Sequence, residues 1–206
     1  MHGVKIGHHG PNFHLADEPE EHLRQLDAAT QRFLAGGVTS IGDCQVTRRE
    51  FDMYLRLAEA GRLELRVSMY LLSHLLDEAL EMGLVGQFGN AHLSFAGIKL
   101  YADGTLGGWT AYFPDGYVGD PCRTGQLYHE PAEYAALISR AHAAGLQTAT
   151  HAQSPTAIEM VVSAIEAALA ERPDSDARHR ICLLYTSDAA DEGFGVDLGG
   201  RRIIKK

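Results

Sequence analysis

Cysteine is scarce in this chain: Cys44, Cys122 and Cys182 are an odd set at wide spacing. That excludes a disulfide framework and a paired-cysteine zinc knot. It suits a reducing compartment, so the expected location is cytoplasmic. Basic charge is also short, with 18 Lys and Arg against 27 Asp and Glu for a net of -9 and no basic cluster. A surface that tracks phosphates, and with it a nucleic-acid partner, is not expected. No apolar run approaches the ~20 residues of a membrane span, and residues 1–10 lack the apolar core of a signal peptide, so no membrane partner is expected either. Internal repeats and low-complexity tracts are absent.

What is present is enough apolar residue, 45% of 206, to build one domain with a buried core, in a chain short of the ~250 residues typical of a complete (β/α)8 barrel. Apolar positions at Leu23, Leu26, Phe33 and Leu34 give a helical period over Pro19 to Gly36, closed by Gly36-Gly37. Val38 to Asp43 reads as a strand. Thr47 then caps a helix, with Glu50 placed for a capping box and Gly61 as the stop. Leu63 to Leu71 is the next strand, His74 to Met82 a short helix, and Phe95 to Asp103 a strand followed by the long connection Gly104 to Glu130. Pro131 opens a helix that Gly145 ends. Leu146 to His151 is a strand, Ser154 to Glu171 a helix, and Arg178 to Ile181 the start of one more strand. Strands alternating with helices in this way predict βαβ units around a parallel sheet, either a barrel or a doubly wound fold.

In such folds reactive groups gather at the carboxyl ends of the strands, which here carry Asp43, Lys99, Asp103 and His151. Strand alternation puts Gly97, Lys99, Tyr101 and Asp103 on one face and Ile98 and Leu100 on the other. An inward lysine needs a reason, because an unpaired buried ammonium is costly. It either snorkels to the barrel mouth, pairs with Asp103, or serves chemistry. His151 at a strand end is either a hydrogen-bonded structural residue or a divalent-metal ligand. His142, inside a helix, and His179, mid-strand between two arginines, are weaker candidates. His2, His8, His9 and His14 sit in a Gly- and Pro-containing stretch with no spacing that aims them together. The connection after Asp103 carries Trp109, Tyr112, Phe113 and Tyr117, which either cover a site or pack the loop onto the barrel rim.

Four stretches in order, Gly97-Ile-Lys-Leu-Tyr-Ala-Asp-Gly-Thr-Leu-Gly107, Asp120-Pro-Cys-Arg-Thr-Gly125, Ala141-His-Ala-Ala-Gly-Leu-Gln-Thr-Ala-Thr-His-Ala152 and Arg178-His-Arg-Ile181, resemble the amidohydrolase superfamily. The likeness is to the amidohydrolase-3 group, which includes N-substituted formamide deformylases. It is strong from Gly97 to Ile181 and weaker from Leu26 to Tyr70. The resemblance implies a (β/α)8 TIM barrel of which this chain supplies strands two to five and the start of six, lacking both ends. It also implies bound zinc, as one or two ions, or another divalent metal. Lys99, as a carboxylated lysine, falls on the strand-four ligand position and His151 on the strand-five position. The strand-one His-x-His pair, the strand-six histidine and the strand-eight aspartate that acts as general base have no counterpart here, so the catalytic residue is unknown. His179 is not a ligand in this scheme. Trp109 stands where the group often has a basic residue, and Ser154-Pro155 where it often has Gly-Asp, which implies a more apolar pocket.

From Cys182 onward, Cys182 to Glu192 and Gly195 to Ile204 resemble the conceptual translation of a transposase-type sequencing-library adaptor; the codons TGT CTC TTA TAC ACA TCT encode Cys-Leu-Leu-Tyr-Thr-Ser. The expected organisation is therefore 1–181 as a partial hydrolase barrel and 182–206 as a tail without a native fold. The expected function is metal-dependent hydrolysis of a non-peptide carbon–nitrogen bond in a small amide-type substrate, present here as an inactive fragment. Asp103, Trp109 and Tyr112 are the expected substrate contacts. The alternatives are a Schiff-base lyase with Lys99 as nucleophile and Asp103 as its acid/base partner, or a noncatalytic binding protein. A homo-oligomer is compatible with all three.

Overall fold

The Thr47 side chain accepts from the Arg49 amide while Glu50 reaches back to the Thr47 amide at 3.0 Å, completing the anticipated capping box. Local signals of this kind set most element boundaries in the computed structural model, which describes residues 19–174 and 176–182 and the backbone of 195–197 and 201–203. The four N-terminal histidines lie outside the described residues. In chain order the elements are α1 (Pro19–Ala35), β1 (Ser40–Val46), α2 (Arg48–Glu59), β2 (Arg66–Leu72), a 3-10 turn (Ser73–Leu75) and α3 (Leu76–Glu81). There follow β3 (Phe88–Gly89), β4 (Leu93–Tyr101), α4 (Pro131–Ala143), β5 (Gln147–His151), α5 (Pro155–Glu171) and β6 (Arg180–Cys182). Pro131 and Pro155 stand in the first turns of α4 and α5, and the Ser154 hydroxyl accepts from the Ala157 amide. At these positions proline gives up an amide that no helix bond uses.

Strands β1, β2, β4, β5 and β6 are hydrogen-bonded in that order and are parallel throughout. Each successive pair is joined through a helical crossover, so the sheet curls as one half of a (β/α)8 barrel with its helices outside. β3 was not foreseen: two residues are too few for any periodicity, and they pair antiparallel with β4. The Asn90 side chain makes that hairpin by accepting from the His92 and Leu93 amides. β1 runs three residues past the expected Asp43, and β6 continues through Cys182. β7 (Gly195–Asp197) and β8 (Arg201–Ile203) form a separate antiparallel pair.

The outer face of the sheet packs Val67, Met69, Phe95, Ile98 and Leu100 against Leu57, Tyr134, Ile138, Val161 and Ile165 of the helices, all buried. Phe95 and Ile98 share that face because the β2–β4 register slips between Met69–Phe95 and Tyr70–Gly97. The slip turns Ala96 inward with Tyr70 and Ala149 and restores Lys99 to the inner side. A side chain at position 97 would place Cβ 1.8 Å from the Gln147 carbonyl oxygen, so only glycine lets β5 approach β4 there.

At the opposite end of β5, His142 of α4 and His179 form a buried relay. The Thr148 amide donates to His179 Nδ1 at 3.1 Å, so the proton of neutral His179 is on Nε2. Nε2 then donates to His142 Nδ1 at 2.9 Å, and His142 Nε2 donates to the Arg172 carbonyl at 2.6 Å. Neither histidine is near His151. Burial, reinforced by His142 and opposed by Asp174, pushes His179 down to about 4. A histidine held below its ordinary value favours the native state when neutral. Its contribution is therefore complete above pH ~6.5 and is lost as pH falls toward 4. We expect the urea midpoint to drop between pH 7.5 and 5 by the equivalent of about 2 kcal/mol, and the slope to flatten in His179→Gln, as equilibrium unfolding followed by circular dichroism will show.

Candidate metal and active site

Lys99 lies on the inner face of β4 and is only 4% exposed. Its Nζ sits 4.6 Å from the centre of the Tyr101 ring, and among the described residues no carboxylate pairs with it. The Tyr101 hydroxyl donates to Gln45 at 3.3 Å, and burial pushes that phenol up to about 12, so it stays protonated as a donor. Burial lowers the Lys99 pKa and the Arg180 charge adds to the effect, while the Cys182 and Cys44 sulfurs oppose it. The amine is thereby moved toward its neutral, nucleophilic form.

His151 ends β5, one strand over. Lys99 is in register with Ala149 and Tyr101 with His151, so the two ligand-type side chains are displaced by two residues, about 7 Å, along the strand direction. His151 Nε2 is 2.6 Å from the Gly104 carbonyl oxygen. A carbonyl only accepts, so Nε2 carries the proton and Nδ1 of the neutral ring carries the lone pair. The ring packs against Tyr101 with centroids 5.4 Å apart. Among the described residues no group of three or more His, Cys, Asp or Glu side chains is arranged to hold a metal ion. Lys99 and His151 fit a divalent cation in donor chemistry but offer two donor side chains, whereas a tetrahedral site needs about four.

Asp103 and Asp43, the two other strand-end candidates, are structural in their contacts. Asp103 is fully buried; Oδ1 accepts from the Gln153 amide at 2.9 Å and Oδ2 from the Tyr112 and Ser154 amides at 3.1 and 3.0 Å. With its oxygens turned to these loops it is not placed as an acid/base partner of Lys99. Asp43 accepts from the Gln45 amide and the Tyr54 hydroxyl, tying β1 to α2. Tyr112, half-buried, thus enters this end of the sheet through its backbone. Trp109 is 40% exposed, adopts a left-handed backbone with φ 59°, stacks on Tyr117 with centroids 5.4 Å apart and faces the Arg123 guanidinium at 5.3 Å.

The interior also holds residues that sequence reasoning passed over. Cys44, Cys182, Arg180 and Tyr70 gather beside Lys99, with Arg180 Nη2 donating to Cys44 Sγ at 3.3 Å and the guanidinium 4.5 Å over the Tyr70 ring. Period-two spacing of Arg180 and Cys182 on β6 was the available signal. A cavity of about 310 Å³ lined by Gln87, His142, Gly145, Leu146 and Asp174 lies at the other end of β5, away from His151.

A curled parallel half-barrel with a buried inward lysine and, one strand over, a histidine at the strand end places ionisable groups where α/β barrels carry their reactive residues. Residues 6–191 match the model of the Amidohydrolase family, and the chain belongs to that family. It is similar to the putative amidohydrolase YtcJ of Bacillus subtilis, 29% identical over 67% of this chain and 24% of that protein. It also resembles Protein LONG AFTER FAR-RED 3 of Arabidopsis thaliana, 28% identical over 79% of this chain and 30% of that one. Among solved structures, an uncharacterized metal-dependent hydrolase from Pyrococcus furiosus superposes with a TM-score of 0.68 at 31% identity, covering 73% of this chain and 32% of the other. Its counterpart from Pyrococcus horikoshii OT3 gives 0.68 at 30% identity over 72% and 31%. The chain thus spans about a quarter to a third of these relatives. The family match also continues past Ile181 into the adaptor-like stretch.

The interior thiols report on the charge at Lys99. A hydrogen bond from Cys44 lowers the Cys182 pKa against the opposing effect of burial, with the Lys99 and Arg180 charges adding to the lowering, while Cys44 is pushed up. Iodoacetamide labelling of Cys182, followed by peptide mass spectrometry, should therefore show a midpoint below the ordinary thiol value of ~8.5. Lys99→Met should raise that midpoint, and an unchanged midpoint would refute the charge contact.

Proposed function

We propose that the protein is part of a metal-dependent hydrolase that cleaves a carbon–nitrogen bond in a small amide-type substrate, with zinc or a similar divalent cation held in part by Lys99 and His151. The observation that carries this reading is the burial of Lys99 without a carboxylate partner, one strand from a histidine whose Nδ1 lone pair is fixed. Both family membership and the metal-dependent hydrolases of similar fold support it.

Carbon dioxide reacts with the neutral amine: the Lys99 Nζ lone pair forms an N–C bond as one C=O π bond opens onto oxygen, and a nitrogen proton passes to water, giving a carbamate. That exchanges a buried cation for an anionic oxygen donor suited to a hard or borderline cation. At an unperturbed pKa of ~10.4 only about one lysine in 2500 is neutral at pH 7, so the desolvation recorded at Lys99 is what makes the step accessible. His151 presents Nδ1 while Gly104 holds the opposite edge of its ring. A bound cation would supply a Lewis acid that polarises the substrate carbonyl and activates water. Trp109 and Tyr112 are proposed to line the entrance, an apolar aromatic surface suited to a substituted amide. The 206-residue chain by itself is proposed to be inactive, because its described residues offer two ligand-type side chains.

Zinc content of the full-length parent protein after equilibrium dialysis, read by plasma mass spectrometry, tests the assignment, because the parent would supply the remaining ligands. Lys99→Ala should lose metal, and bicarbonate together with a short carboxylic acid should restore part of it by filling the vacated volume. His151→Ala should weaken binding by tenfold or more with no such rescue. Full zinc content in Lys99→Ala would remove the assignment.

A further inference from the structure

Asp103 lies at the one point where the loops after β4 and β5 meet, and its carboxylate serves both. On the β4 side it accepts from the Tyr112 amide; on the β5 side it accepts from the Gln153 and Ser154 amides, which follow directly on the His151 strand end. Gly104, the next residue after Asp103, supplies the carbonyl that receives His151 Nε2. Both ends of the His151–Gly104 hydrogen bond are therefore fastened to one buried carboxylate. Two further contacts stiffen the frame. The Leu106 amide donates to Gln153 Oε1 at 2.6 Å, and the Ala102 amide donates to the His151 carbonyl at 2.8 Å. A Cβ on Gly104 would come within 2.2 Å of Thr110 Oγ1 and 2.4 Å of its carbonyl oxygen, so the turn that aims the Gly104 carbonyl is closed against Thr110 and has no slack.

We infer that Asp103 is a positioning residue: by clamping the two loops it holds the Gly104 carbonyl against His151 Nε2, and so fixes the ring in the Nε2–H tautomer with Nδ1 as its donor atom. Its carboxylate does this through three backbone amides and without contacting the substrate. Amide donors to an ionised carboxylate are strong and directional, and partners behind a histidine ligand set its tautomer and basicity. An asparagine at 103 keeps the shape but offers one oxygen and turns an amide group toward an N–H donor. At least one of the three clamps is then lost, and the carbonyl is released from its aim. The consequence for metal affinity rests on the reading of His151 as a ligand; the tautomer assignment does not.

The experiment is nitrogen NMR of the full chain labelled with 15N-histidine, at mildly alkaline pH and without metal, with the His151 signal identified by its absence in His151→Gln. Wild type should show one protonated nitrogen, Nε2, and one unprotonated nitrogen, Nδ1. Through-hydrogen-bond couplings should connect the Tyr112, Gln153 and Ser154 amides to the Asp103 carboxyl carbon. A wild-type ring that averages between tautomers, as in an unfolded chain, or amides without those couplings, overturns the inference with no variant needed. Asp103→Asn should shift both His151 nitrogens toward the averaged position. A single unshifted tautomer in that variant also overturns it. Ser154→Ala removes the α5 cap but keeps the Ser154 amide, so it loosens the same region without touching the clamp. It should leave the His151 signals in place; if it moves them as far as Asp103→Asn does, the role is general stability and not positioning. Zinc titration then separates the two readings. A ten- to hundredfold weaker affinity in Asp103→Asn is expected where His151 is a ligand. Released tautomers with unchanged zinc affinity would keep the positioning role and discard the metal role.

Discussion

A primary amine buried in the interior of a curled sheet, with no carboxylate to meet it, is the constraint around which the rest of this protein is arranged. Water cannot solvate the charge there, and the available neighbours are an aromatic ring, two sulfurs and a guanidinium. Such a position is stable only if the amine spends its time neutral, is met by the Cys182 sulfur as an anion, is converted to something else, or faces a ligand. Each of these makes it chemically useful, and each depends on β4 presenting position 99 inward. The register slip at Ala96 is what secures this. Without the extra residue, the alternation that buries Phe95 under the helices would send Lys99 out among them.

The alternation of strands with helices and the helix starts were legible in the sequence because they rest on short-range rules, whereas the barrel order of the strands came from the family resemblance. The inward lysine, expected from simple alternation, is secured by a register slip that alternation did not show. Proline in a first turn, Thr47 with Glu50, and glycine at a helix end act within a few residues and leave a local trace. His151 at a strand terminus was equally visible. What could not be read were features created by two segments meeting. Asp103 looked like a strand-end reactive group because nothing in its neighbourhood announces that the amides of residues 112, 153 and 154 will converge on it. Arg180 and Cys182 drew no attention as neighbours of Lys99, since they reach it only after the sheet has curled. β3 escaped for the opposite reason: two residues are too few to generate a pattern at all.

The loop after β4 shows how an exposed aromatic can be costly and still be built in. Trp109 takes a left-handed backbone that a side chain rarely adopts, and is held there by Tyr117 on its face and Arg123 nearby. The turn from Thr105 to Thr110 leads directly from Gly104. Strain at Trp109 and the aim of the Gly104 carbonyl therefore belong to one compact piece of chain.

The relay from the Thr148 amide through His179 and His142 to the Arg172 carbonyl has a direction. Every member donates forward, so no ring can be turned around without stranding a polar atom in the interior. The two histidine positions consequently form a single unit of inheritance. Replacing either alone leaves a buried donor or acceptor unmet, and an apolar pair of matching volume, although it removes both ends of their shared bond, still takes the acceptor from the Thr148 amide. The backbone at either end of the relay therefore holds both rings in place, and neither histidine can change without consequence for the other.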